Sequence, residues 1–116
     1  MMASQLDIRV ELDEKLGVTS LTGPVDSATF GQFRETMEPL SHRAGFKLVV
    51  DASRLSYINS RGIALLAAMH RALMAQMGNL VLCGINERIA RTIDLLGLAK
   101  RIRVFETREE ALAFFE

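Results

Sequence analysis

Cysteine is almost missing from this sequence. The single Cys83 falls in the run Asn79 to Cys83, which reads as a strand. One thiol cannot close an internal disulfide, so a reducing compartment, the cytoplasm, is expected. Histidine is equally scarce: His42 lies in a polar connector and His70 on the core side of a helix, and no Cys/His group has zinc spacing. There is no Walker-type glycine loop, dinucleotide fingerprint or Gly-x-Ser-x-Gly elbow, and the carboxylates are scattered rather than paired. An enzyme is therefore not expected, nor is a cofactor or a metal. Charge of one sign is not in excess either, with 14 basic and 14 acidic side chains. Nothing stands ready to neutralise a nucleic-acid backbone or to tether the chain to an anionic membrane. The longest apolar run, Ile63 to Met69, is far too short to cross a bilayer, so no membrane insertion is expected. The first residues, Met1 to Gln5, carry neither the basic nor the apolar region of a signal peptide.

What is present suits one folded domain spanning residues 1–116, with 49% hydrophobic and 24% charged residues. Residues 6–12 alternate apolar and polar, the period of a half-buried strand. Asp13 to Lys15 reads as a turn, and residues 16–21 as a second strand, giving an antiparallel hairpin. Gly23-Pro24 is expected to break that strand. Asp26 or Ser27 is placed to cap a helix reaching Leu40, with Phe30, Phe33, Met37 and Leu40 at core spacing. Residues 46–51 contain Leu48-Val49-Val50, a run suited to a strand covered on both faces. A loop over 52–59, a helix over 60–77 ended by Gly78, and a strand over 79–83 follow. Asn86 caps a helix over 87–96, stopped at Gly97. Residues 101–105 form a last strand, and Thr107 with Glu110 makes a capping box for a helix over 108–115. The order β-β-α-β-α-β-α-β-α predicts an α/β fold: a mixed four- to five-stranded sheet with an N-terminal hairpin and about four covering helices.

The segment from Asp51 to Gly62 joins a buried strand to the long helix and ends with Ser60 at the helix start. Two readings are open on local chemistry alone. The Ser60 oxygen can accept a first-turn N–H as a cap. Alternatively, its hydroxyl is exposed and accepts a phosphoryl group, whose charge the helix N-terminus favours and Arg61 can pair with. Gly62 leaves room for a partner's backbone to approach.

Several motifs in order carry a resemblance. Asp51, Ser53, Asn59, Ser60 and Gly62 are in register with the signature of the STAS (sulfate transporter and anti-sigma antagonist) family. Upstream, Leu21 to Asp26, with Gly23 and Asp26, resembles that family's turn into its first helix. Gly78 to Gly84 resembles its fourth strand and Ile93 to Leu98 the end of its third helix. Phe105 with Glu109, Glu110 and Ala111 resembles its final strand-to-helix passage. The resemblance runs from Leu6 to Phe115 and implies a stand-alone anti-sigma factor antagonist. In such members, the serine matching Ser60 is phosphorylated by an ATP-dependent anti-sigma serine kinase. The unmodified domain binds that kinase and frees the sigma factor, and a metal-dependent serine phosphatase reverses the mark. Two positions depart from the usual pattern. Asn59 stands where Asp is frequent, and Arg61 where Ser or Thr is frequent. Asn59 keeps hydrogen bonds but removes a charge, and Arg61 reverses the local polarity, so both bear on which kinase is recognised.

On the helix after Ser60, residues Ile63, Leu66, Ala67, His70, Met74 and Met77 form the expected core stripe. Arg61, Ala64, Ala68, Arg71 and Ala75 lie opposite, and Leu65 and Met69 fall beside that small-residue face. The expected partner surface is thus Asn59, Ser60, Arg61, Gly62, Ala64, Leu65, Ala68 and Met69, where small side chains admit close approach and Met adapts. Ser53 and Ser56 are weaker acceptors, expected to serve in loop hydrogen bonds. Two other functions compete: a STAS subunit of a membrane lipid-transport complex, using the same helix face without phosphorylation, and a small nucleotide-binding protein.

Overall fold

A computed structural model of the chain describes residues 5–97 and 100–116. Met1 to Ser4, part of the segment read for a signal peptide, and Leu98, part of one family motif, lie outside the described residues.

Among the described residues, five strands form one sheet in sequential order: β1 (Asp7–Leu12), β2 (Leu16–Val25), β3 (Lys47–Ile58), β4 (Asn79–Cys83) and β5 (Val104–Phe105). β1 and β2 are the antiparallel hairpin, and β2 through β5 run parallel. The helices are α1 (Phe30–Met37), followed by a 3-10 turn at Glu38–His42, α2 (Ser60–Met74), α3 (Glu87–Leu96) and α4 (Arg108–Phe114). The mixed five-stranded sheet and four helices match the architecture expected from the order of elements.

The two faces of the sheet are covered unequally. Leu48, Val50, Leu80 and Leu82 point to the face that receives Phe33, Met37, Ile63, Leu66, Leu73, Ile89 and Ile93 from α1, α2 and α3. Their alternates Val49, Val81 and Cys83, with Val18, point to the other face and meet Ala111 and Leu112 of α4, Phe115 just past its end, and Phe105 of β5. Each large side chain sealed in this way, such as Phe33, contributes about 1.5–3 kcal/mol of burial.

Four boundaries differ from expectation. β2 does not stop at Gly23-Pro24, because the register shifts there instead. β1 pairs only as far as Thr22, so the missing N–H of Pro24 removes no bond from the hairpin ladder. Gly23, at φ 101°, runs so close to Gln5 that a Cβ would sit 2.2 Å from its carbonyl oxygen. β3 continues through the expected loop to Ile58, because the prolonged β2 gives it a partner; Leu55 and Ile58 turn inward while Ser53, Arg54, Ser56 and Tyr57 stay exposed. α2 ends at Met74 rather than Met77, leaving Met74 50% and Met77 82% exposed. The left-handed residue is Met77, at φ 67°. Gly78 is needed for a different reason, since a Cβ there would lie 2.3 Å from the carbonyl oxygen of Phe46. β5 is only the pair Val104–Phe105. The caps at Asn86, Gly97 and Thr107 stand as the sequence predicts.

Candidate functional site

The extension of β2 and β3 past β4 builds a two-stranded arm at the carboxyl ends of the parallel strands, where α/β sheets commonly carry their sites. Val25 and Ile58 are paired at its tip. From it spring the turn into α1 and the junction into α2. In the first, the Asp26 carboxylate accepts the N–H groups of Ala28 and Thr29, both at 3.0 Å, and the Thr29 hydroxyl donates to the Pro24 carbonyl at 2.8 Å. In the second, Asn59 donates its backbone N–H to the Val25 carbonyl at 2.9 Å. Its side-chain Oδ1 accepts the Gly62 N–H at 2.8 Å.

That last bond bears on the first reading of the helix start, in which Ser60 is the cap. Asn59 is the cap of α2, so the Ser60 hydroxyl is not needed for capping. Ser60 is the first residue of the helix and is exposed. Arg61, also exposed, lays its guanidinium over the ring of Phe30 with Cζ 4.3 Å from the centroid, which ties α2 to the start of α1. Ser60, Ala64 and Ala68 are all exposed and recur every fourth residue, forming one stripe along α2.

Two expected surface residues belong to the interior. Met69 is 1% exposed and packs in the core with Leu66 and Leu73, because α2 buries a wider arc than the stripe drawn from spacing. It cannot touch a partner. Gly62 is buried as well, and a Cβ there would lie 2.7 Å from Ile58 Cγ1 and 3.0 Å from Val25 Cγ1. Its missing side chain admits the tip of the strand arm, not a partner's backbone. Leu65 is half-buried at the edge of the same core.

The motif residues Asp51 and Ser53 sit elsewhere, on the face covered by α4. Asp51 Oδ1 accepts the Ser53 N–H at 3.0 Å, and Oδ2 accepts Arg108 Nε at 2.9 Å. A second Arg108 nitrogen donates to the Ser20 hydroxyl at 2.7 Å. Burial pushes the Asp51 carboxyl up, but the hydrogen bonds from Ser53 and Arg108 outweigh it, leaving the group below its ordinary value. Beside it, burial and the Asp51 charge raise the Cys83 thiol to about 11. This cluster fastens α4 to the sheet. Sequence reasoning missed Arg108 and Ser20, since only the register that sets Ser20 opposite Asp51 brings them together. Among the described residues, no group of His, Cys, Asp and Glu is placed to hold a metal ion. No described helix is long and apolar enough to cross a membrane.

The STAS domain family pattern matches residues 7–111, and the chain belongs to that family. Within it, the chain is similar to the anti-sigma-B factor antagonist of Staphylococcus epidermidis, 30% identical over 75% of this chain and 81% of that one. Among solved structures it resembles an anti-sigma factor antagonist from Mycobacterium paratuberculosis, at a TM-score of 0.82 and 24% identity, over 95% of this chain and 93% of that one. It also resembles the Bacillus cell fate determinant SpoIIAA in its phosphorylated form, at a TM-score of 0.69 and 23% identity, over 98% of this chain and all of that one. These two likenesses are of fold.

Proposed function

We propose that the chain is an anti-sigma factor antagonist of a partner-switching pathway in the cytoplasm, with Ser60 as its phosphorylation site. The unmodified protein binds an anti-sigma serine kinase, phosphorylation of Ser60 releases it, and a metal-dependent serine phosphatase restores binding. The observation that carries this reading is a serine hydroxyl that is exposed at the start of α2 while its neighbour Asn59 does the capping. The named role of the Staphylococcus relative supports it.

The docking surface in this reading is Ser60, Arg61, Ala64 and Ala68, with Asn59 behind and Leu65 at the edge. Alanines let a partner come close along α2. A phosphate adds about −1.5 to −2 charges at the centre of that contact. The exposed helix N-terminus stabilises the charge in the free protein, and docking would have to strip its water, so binding weakens. Mass spectrometry of the protein recovered from cells tests the mark, with Ser60→Ala as control. The expected result is a phosphate on the peptide holding Ser60 and none in the variant. Titration of a purified anti-sigma serine kinase of the same organism should show parent and Ser60→Ala binding alike and Ser60→Asp at least ten-fold weaker. Equal binding by Ser60→Asp refutes the mechanism.

A further inference from the structure

A broad recess lies at the other end of α2, about 20 Å along the helix from Ser60 at 1.5 Å per residue. It is an open cleft of about 830 Å³ between the second half of α2, the segment entering β5, and the end of α4. That volume falls within the range of small-molecule sites, about 300–1,000 Å³. Ala67, Met74, Ile102 and Phe114 give it an apolar lining, and the 50% exposure of Met74 and 40% exposure of Phe114 are high for such side chains.

Its charges are all of one sign. Arg71, Lys100, Arg101 and Arg103 line the cleft, and no carboxylate does among the described residues. None of the four is in an ion pair there; the ion pair among described residues is Arg108 with Asp51. In a chain of zero net charge this is a local segregation, not a general surplus. The cations also converge. Arg71 from α2 and Arg101 from the segment before β5 both act on His70, which burial and these two charges hold below its ordinary value. Arg103 is fixed over the rings of Phe105 and Phe114, 5.7 and 5.0 Å from their centroids. Like charges gathered at an apolar recess repel one another, and a bound anion relieves that repulsion.

We propose that this cleft binds a small anionic amphiphile, its carboxylate or phosphate head against Arg71, Lys100 and Arg101 and its apolar body along Met74, Ile102 and Phe114. The head sits beside His70 and the body covers the exposed sides of Met74 and Phe114. The same chemistry is offered by a free amphiphile and by an anionic lipid in a bilayer, and experiment separates the two.

The test uses the chain's two histidines, His70 in the cleft and His42 outside it. Decanoate is titrated below its micelle concentration while the imidazole C–H signals are followed by NMR. The expected result is a saturable one-to-one shift of His70 with His42 unmoved, and a rise in the His70 pKa as the carboxylate offsets Arg71 and Arg101. The double variant Arg71→Gln/Arg101→Gln, checked for an unchanged fold by circular dichroism, should bind at least ten-fold more weakly, and Ser60→Ala as the parent does. No saturable shift, or an equal one with decyltrimethylammonium or with inorganic phosphate, overturns the proposal. Vesicles of phosphatidylglycerol identify the source. Retention lost in the double variant assigns the site to bilayer lipid, and decanoate binding without retention assigns it to a free amphiphile.

Discussion

Removing Arg108 should loosen the molecule far from Ser60, and the size of the effect follows from the contacts of one carboxylate. Asp51 has a side chain 11% exposed and Arg108 one 33% exposed. In Arg108→Ala, Asp51 keeps the Ser53 N–H on one oxygen and loses its cationic partner on the other, and Ser20 loses a donor. A hydrogen bond to a charged group contributes about 1.5–3 kcal/mol, and breaking a fully buried pair costs about 3–5 kcal/mol. This half-covered pair belongs at the lower range, so a loss of about 2 kcal/mol is expected in urea unfolding. The pH dependence supplies an internal control. The folded-state pKa of Asp51 lies below its ordinary carboxyl value, so its stabilisation is complete above that value and disappears as pH falls through the folded pKa. Below it the carboxyl is neutral in both proteins, and the gap between parent and variant should close. Equal stability of the two at pH 7, or a gap unchanged once the parent's Asp51 is protonated, would refute this account of the motif aspartate.

Asn59→Ala removes the cap of α2 and should cost about 1 kcal/mol in chemical denaturation, whereas Asn59→Asp keeps the acceptor, places a negative charge at the helix start and should be neutral or stabilising by about 0.3–1 kcal/mol. Gly62→Ala sets about 1 kcal/mol of helix propensity against an overpacking cost of about 1–3 kcal/mol, since the new methyl meets Ile58 and Val25; a net loss is expected, and a gain in melting temperature would contradict the packing argument. Cys83 is buried with its thiol raised to about 11, so iodoacetamide at pH 8 should leave it unlabelled in the native protein and modify it readily in urea, as followed by intact mass.

Patterns that repeat over several residues made most of the fold readable. Alternation in residues 6–12, the apolar run at Leu48 to Val50, and the end signals at Asn86, Gly97 and Thr107 each report a local geometry, and each appears where expected. The polar stretch Ser53 to Tyr57 gave no strand signal, because Ser53, Arg54, Ser56 and Tyr57 stay exposed and the strand paired with it is the bulged end of β2. Met69 looked like a surface residue from helical spacing, but α1, the 3-10 turn and the sheet together enclose more of α2 than one stripe. The sequence leaves open whether Ser60 caps the helix or presents a free hydroxyl; the cap is its neighbour Asn59, and only the bond from the Gly62 N–H to Asn59 reveals this. Arg108, 57 residues from Asp51, carries no local mark at all.

The frame around Ser60 determines how a charge placed there would be felt. Asn59 is fixed by bonds to Val25 and Gly62, Gly62 is wedged against Ile58 and Val25, and Arg61 is stacked on Phe30. Each contact joins the start of α2 to the strand arm or to α1 without using the Ser60 hydroxyl. An added group at that oxygen therefore meets solvent and the first-turn N–H groups, not a side chain that must move to admit it. Arg61 is also turned about 100° round the helix from Ser60, and neighbours in sequence do not face one another on a helix. A guanidinium held over an aromatic ring on that side is better placed to meet a partner's carboxylate than to neutralise a phosphate on the adjacent residue. On this geometry a modification would change the chemistry of a standing surface and leave the scaffold beneath it unchanged, which is what the proposed switch at Ser60 requires.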